Sequence, residues 1–288
     1  LDRCNPSFAV KVLERIKHLF FIFYVVFVVS IDKKQLCNSI RGYYGSDLIN
    51  AEEYLKRFID IEYLLPEPDL DKLCNYLFDV YGFKYFFEKE TKQRSLRNDE
   101  KDSFLRMTKL LIEYKKLNIR QMEKLYAHTR LAIQTVRDNE YAHPEIIFLL
   151  TYFRLFHYEC YDRIKRKNYT IPELVDLFES NFPDNLLRPL GDNYDKTYKF
   201  MVGTIAKFLS CYSLTKNGFK TYELFTEKGD IKELLFEPKK IAKEELLFFV
   251  EWYEKQGVMM GNGIFDINYL VNHIDLLDGL QDYDEFYN

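Results

Sequence analysis

Apolar positions near the start of the chain change spacing twice. Phe8, Val12, Leu13, Ile16 and Leu19 recur at helical intervals. Asn5-Pro6-Ser7 stands ahead of them, with a capping side chain and a proline suited to a first turn. The spacing then gives way to a continuous apolar run, Leu19 to Val29. Its β-branched half, Tyr24 to Ile31, predicts a strand buried on both faces, as in a parallel sheet. A membrane span needs about 20 such residues. This run is shorter, and Lys17, His18, Asp32, Lys33 and Lys34 flank it closely.

Asp32 is placed to cap a following helix, which Leu36, Ile40 and Tyr44 continue. Ala51 to Ile59 reads as another helix, and Ile61 to Pro66 as a short strand closed by proline. Residues 1–66 thus predict the order α-β-α-α-β, part of a parallel α/β domain. From Pro68 the pattern is helical. Leu70, Leu73, Leu77 and Val80 share a face, and further helices are expected over 99–116, 119–137, 146–167 and from Thr170. Residues 194–212 and 243–255 also read as helices. Asn217-Gly218 and Asn262-Gly263 are hairpin-type dipeptides with poor flanking alternation.

Composition supports this picture. Only 11 glycines and 8 prolines occur in 288 residues, which favours long elements over tight turns. The 25 Phe and 23 Tyr supply ample core material. The net charge of −4 excludes a globally basic nucleic-acid binder. Charge is nevertheless uneven. Residues 84–130 hold 13 Lys or Arg against 7 Asp or Glu, while 264–288 hold six acids and no Lys or Arg. Such blocks are ordinarily solvated faces, with a partner surface as the other reading. The five cysteines are scattered, odd in number and without a C-x-x-C pair, which points to reduced thiols in a cytoplasmic protein rather than to zinc. None of the five histidines forms a ligand pair at helical spacing, and no G-x-S-x-G elbow occurs.

The opening order carries a resemblance. Leu1-Asp2-Arg3-Cys4 is followed by a helix ending Glu14-Arg15-Ile16-Lys17-His18-Leu19-Phe20. Then come Val25-Val26-Phe27-Val28-Val29-Ser30-Ile31-Asp32, the stretch Ala51 to Asp60, and the Leu64-Leu65-Pro66 stop. This order resembles the KAP family of P-loop NTPases from just after the Walker B strand, with looser similarity through Asn118-Ile119-Arg120-Gln121 and Tyr161 to Leu174. Phe21-Ile22-Phe23 departs from the pattern, since family members often carry a polar residue and a proline there. The departure leaves peripheral membrane contact as a secondary reading.

The resemblance implies an α/β plus all-α architecture. Residues 1–66 would be the C-terminal part of a parallel P-loop NTPase sheet, 67–180 a helical lid, and 181–288 a mainly helical region of unassigned role. It also implies ATP and Mg²⁺ as substrate and cofactor of the complete protein. Acids at the end of the Walker B strand hold Mg²⁺ and orient water in such enzymes. Asp2 lies just beyond that point and would support the metal side or cap the helix. Asp32, at the carboxyl end of the next strand, would position water or sense phosphate, or cap its own helix. Arg57 would reach a phosphate, and Arg120 would let the lid read the nucleotide; helix-surface charge is the plain reading of both.

No G-x-x-x-x-G-K-[ST] occurs in the 288 residues, so the phosphate cradle is missing from them. With Leu1 in place of Met, this favours a fragment inactive on its own. The functional expectation is therefore part of a nucleotide-dependent switch that passes movement through its C-terminal helices to a protein partner. The family's association with phage exclusion suggests defence as its setting. The alternative is a non-enzymatic helical interaction module derived from that family.

Overall fold

The computed structural model describes residues 4–20, 22–46, 48–66, 68–88, 94–136, 142–188, 196–219, 223–228, 231–259 and 266–281. The chain divides into two compact units, Leu1–Glu67 and Pro68–Asn288.

In the first unit, α1 (Pro6–Lys17), α2 (Lys33–Tyr44) and the short α3 (Ala51–Leu55) pack through Ala9, Val10, Leu13, Leu36, Cys37, Ile40, Ala51 and Leu55. Each helix begins where the sequence offers an oxygen to its free N–H groups. Asn5 Oδ1 accepts from Ser7 N at 3.0 Å, Asp32 Oδ1 from Gln35 N at 3.0 Å, and Asn50 Oδ1 from Glu53 N at 3.2 Å. Gly45 ends α2 in the left-handed region at φ 67°, a conformation that costs glycine little.

The expected buried strands are not formed here. Residues 25–32 and 61–66 adopt no regular structure and make no ladder. No backbone hydrogen bond of residues 23–31 occurs among the described residues. Side-chain exposure alternates along the first segment: Val26 is 85% and Val28 91% exposed, whereas Val25 is 46% and Phe27 37%. Ile61, Tyr63, Leu64 and Leu65 are also exposed. The physical reason is the lack of a partner. A strand buried on both faces needs neighbours on both edges, and the only ladder among the described residues lies in the second unit.

The second unit holds α4 (Leu70–Val80), α5 (Phe83–Glu88), α6 (Arg94–Lys115), α7 (Ile119–Gln134), α8 (Pro144–Phe156), α9 (Tyr158–Lys165), α10 (Ile171–Asn181), α11 (Asp184–Leu187), α12 (Lys196–Lys216), α13 (Lys243–Met259) and α14 (Ile267–Gln281). A single antiparallel hairpin, β1 (Phe225–Lys228) and β2 (Ile231–Leu234), pairs Phe225 with Leu234 and Lys228 with Ile231. Two helices are surrounded on most sides. Every residue of α8 from Pro144 to Phe153 is buried, and α12 buries most of its length. Around α8 the rings of Phe78, Phe83, Phe104, Tyr126 and Phe148 meet in edge-on and stacked pairs at centroid distances of 4.6–6.1 Å.

Two sequence expectations are corrected in this unit. The helix expected over 146–167 breaks at His157, whose φ of −142° and ψ of 58° separate α8 from α9. Asn217-Gly218 is not a hairpin turn. Gly218, at φ 64°, lies in the left-handed turn that follows α12. Asn262-Gly263 lies outside the described residues.

Polar groups fasten the periphery to this core. Thr170 and Glu173 form a reciprocal capping box on α10, as Asn118 and Gln121 do on α7. Glu179, only 3% exposed, accepts from three consecutive backbone N–H groups: Lys239 N at 3.1 Å, Lys240 N at 2.7 Å and Ile241 N at 3.0 Å. Arg188 Nη2 and Nε donate to the Lys239 and Lys240 carbonyls beside them. One carboxylate thus satisfies the turn that leads into α13. Glu179→Ala leaves three donors without an acceptor. It is expected to cost about 3 kcal/mol, since each stranded buried group costs roughly 1–3 kcal/mol. Glu179→Gln, which keeps one acceptor oxygen, should cost less. Urea unfolding of the two variants checks this, and equal stability to the parent would contradict it.

Candidate functional site

The candidate residues of the first unit occupy different ends of small helices. Asp2 lies outside the described residues. Asp32 ends the unpaired segment and begins α2, exposed to solvent. Its Oδ1 caps Gln35 N, and its carbonyl accepts from Leu36 N at 2.9 Å. The capping role is therefore present in the structure, and the carboxylate still faces water.

The next residue makes a link that spacing did not suggest. Lys33 Nζ donates to both carboxylate oxygens of Glu62, at 2.8 and 2.9 Å. The hydrogen bond to Glu62 raises the Lys33 pKa above the usual lysine value. This pair ties the start of α2 to the second bare apolar segment. Both side chains are about half exposed, so the pair orients these segments more than it stabilises them. No local signal reveals it, because the partners are 29 residues apart.

Arg57 follows α3 and is exposed, with its guanidinium 6.0 Å from the Tyr54 ring centroid. Tyr54 Oη in turn lies 3.2 Å from Tyr44 Oη and 3.3 Å from Glu14 Oε1. Burial is the main reason its phenol is pushed far above its ordinary range. Lys56, beside it in the chain, pairs with Glu53 at 3.0 Å. A shallow depression of about 490 Å³ lies at the far end of α2, lined by Asn38, Arg41, Gly42, Gly45 and Ser46. Along a 12-residue helix this is about 18 Å from Asp32, so the concavity and the acidic candidate are separate features.

Arg120 belongs to the second unit. It occupies the first turn of α7, exposed, just past the Asn118 cap. A cation there opposes the helix dipole, which favours anions at that end. Its position therefore gains nothing from helix stability.

Among the described residues no three His, Cys, Asp or Glu side chains converge in a way that could hold a metal ion. Asp32 stands alone at its helix start. No helix among the described residues is long and apolar enough to cross a membrane.

Comparison with known proteins agrees with the resemblance seen in the opening motifs. Residues 1–135 match the family model described as the KAP family P-loop domain. The match covers the first unit and the helices α4 to α7. No curated protein matches the chain, and no solved structure matches it.

The cap at Asp32 generates a local prediction. Asp32→Ala should destabilise α2 by about 1 kcal/mol, the usual cost of losing such a cap, while Asp32→Asn should cost little. Amide exchange across Leu36 to Ile40 in the 288-residue chain measures this; equal protection in both variants would contradict it.

Proposed function

We propose, on the premise that residues 1–135 are a KAP family P-loop NTPase region, that the chain is the rear part of a nucleotide-driven switch. In this reading residues 24–31 and 61–66 are two strands of a parallel sheet, completed by strands N-terminal to Leu1. Asp2 and Asp32 stand on the side of Mg²⁺ and water. Arg57 and Arg120 reach phosphate. Residues 67–180 act as the lid, and 181–288 carry the movement to a protein partner. Phage exclusion is the setting that the family suggests.

The observation that carries this reading is the pair of bare apolar segments inside the matched region. Val26, Val28, Leu64 and Leu65 are exposed with no backbone partner, which a self-contained domain rarely tolerates. Arg120, placed against the helix dipole, supports the phosphate role, because a bound anion would remove that conflict.

A second reading, an interaction module without catalysis, draws on the second unit. Its core is continuous from Cys74 to Ile274. Phe248 and Trp252, one turn apart on α13, are exposed beside a packed helix.

One experiment separates the two. The 288-residue chain, without a phosphate cradle, should show no Mg²⁺-dependent ATP turnover. The protein translated with its upstream coding sequence should turn over ATP. There Arg120→Ala should lower the rate by about tenfold or more, a modest share of the 10³–10⁵ supplied by arginine fingers. Arg106→Ala, which removes a cation over the Phe200 ring 5.1 Å away, should not. Turnover by the 288-residue chain would refute the assignment. An inactive extended protein would favour the interaction module.

A further inference from the structure

The stretch from Ile146 to Lys167 holds no glycine or proline, yet the helix breaks at His157. Sharp breaks fall almost always at proline, at glycine or where a side chain intrudes on the ladder. His157, at φ −142° and ψ 58°, lies outside both the helical and the extended regions, so its surroundings must hold it there. Tyr152 supplies the hold. Its Oη lies 2.9 Å from His157 Nε2, and the two ring centroids are 5.3 Å apart. Residues five apart on an unbroken helix point roughly 140° away from each other, so this contact belongs to the broken form alone. Tyr152 is 3% exposed, and its hydroxyl has no other hydrogen-bond partner among the described residues.

The break costs backbone pairing. In an unbroken helix the amides of Tyr158, Glu159 and Cys160 would donate to the carbonyls four residues back. Among the described residues none of the three donates to a backbone carbonyl. The backbone thus favours one long helix, and the Tyr152–His157 contact favours two short ones.

Charge decides what that contact tolerates. With its proton on Nδ1, the neutral imidazole accepts from Tyr152 at Nε2. An imidazolium has no acceptor left, so the buried hydroxyl would be stranded. Lys115, at the end of α6, adds repulsion. Its Nζ lies 5.8 Å from the Tyr152 ring centroid and 5.6 Å from that of Phe182, and donates to Asn181 Oδ1 at 3.0 Å. Burial first, and Lys115 second, lower the His157 pKa below its ordinary value. His157 itself is exposed, so solvent protons reach it. The other titratable groups around the break are Arg154 on α8, Glu159 and Cys160 on α9, and Asp275 on α14. Asp275 accepts from Tyr161 Oη and Lys165 Nζ at 2.6 Å each and lies 3.9 Å from Arg154 Nε. The end of α10 contributes the neutral Asn181 and Phe182.

We propose that His157 is a proton-operated hinge: neutral, it keeps α8 and α9 as two helices, and protonated, it lets them join into one. Straightening takes the imidazole away from Tyr152 and Lys115 and so makes it easier to protonate. The break is therefore intact above the ordinary histidine range and is lost as pH falls through and below it. Turning α9 would carry Tyr161 and Lys165, and with them Asp275 of α14, the helix that packs on α7. The inference stands on the second unit alone and does not depend on the ATPase reading above.

Hydrogen exchange of the 288-residue chain at about pH 7.5 and about pH 5.5, on either side of the histidine range and corrected for intrinsic rates, tests it. Protection at Tyr158, Glu159 and Cys160 should rise about threefold or more on acidification, because these amides gain acceptors. Acid loosening of a merely structural contact would lower it instead. His157→Gln keeps an acceptor and cannot charge, so its protection should not respond. Tyr152→Phe removes the hold, so its three amides should be protected at both pH values. His128→Gln should respond as the parent does. The proposal is overturned by no rise in the parent, by a rise that persists in His157→Gln or vanishes in His128→Gln, by a parent-like response in Tyr152→Phe, or by acid loss of protection through α8 and α9 alike. If Tyr152→Phe fails to fold, the parent and His157→Gln decide the matter.

Discussion

An extended apolar segment must give its N–H and C=O groups to something. Residues 23–31 and 61–66 give theirs to no other backbone group among the described residues, and most of their apolar side chains are exposed. Buried backbone groups are almost always paired, so these segments cannot become the interior strands their composition describes without neighbouring strands. The rest of the first unit adapts to this constraint. Three capped helices gather eight buried side chains into a small core and leave the most apolar stretch of the chain outside it. Lys33 and Glu62 hold the second segment to the start of α2.

The second unit solves the same problem with helices, which pair their backbone internally. Its peripheral polar groups are spent on loops and ends. Glu179 satisfies the turn before α13. Glu100 Oε1 receives Ala142 N and His143 N ahead of α8, and Tyr212 Oη both accepts from and donates to Tyr169. Lys207 and Glu145 form an ion pair at 2.6 Å between α12 and α8.

Local chemistry was legible in the sequence wherever one turn contained the whole signal. Asp32 and Thr170 were recognisable as caps because the cap oxygen and the N–H that donates to it lie within three residues. The family match over 1–135 agrees with motifs visible in the first 66 residues. What escaped was non-local or context-dependent. Tyr24 to Ile31 has a strand's composition, yet composition does not say whether a neighbour exists. The β1–β2 hairpin was missed because strands of four residues barely establish a period. The break at His157 sits inside an unbroken apolar pattern. The Lys33–Glu62 pair spans 29 residues.

The central claim is that residues 24–31 and 61–66 are sheet strands in the complete protein. Hydrogen exchange at these amides tests it most directly, comparing the 288-residue chain with the protein translated from its upstream coding sequence onward. The account predicts rapid exchange at both segments in the shorter chain and strong protection at both in the longer one. Rapid exchange in both proteins would contradict it.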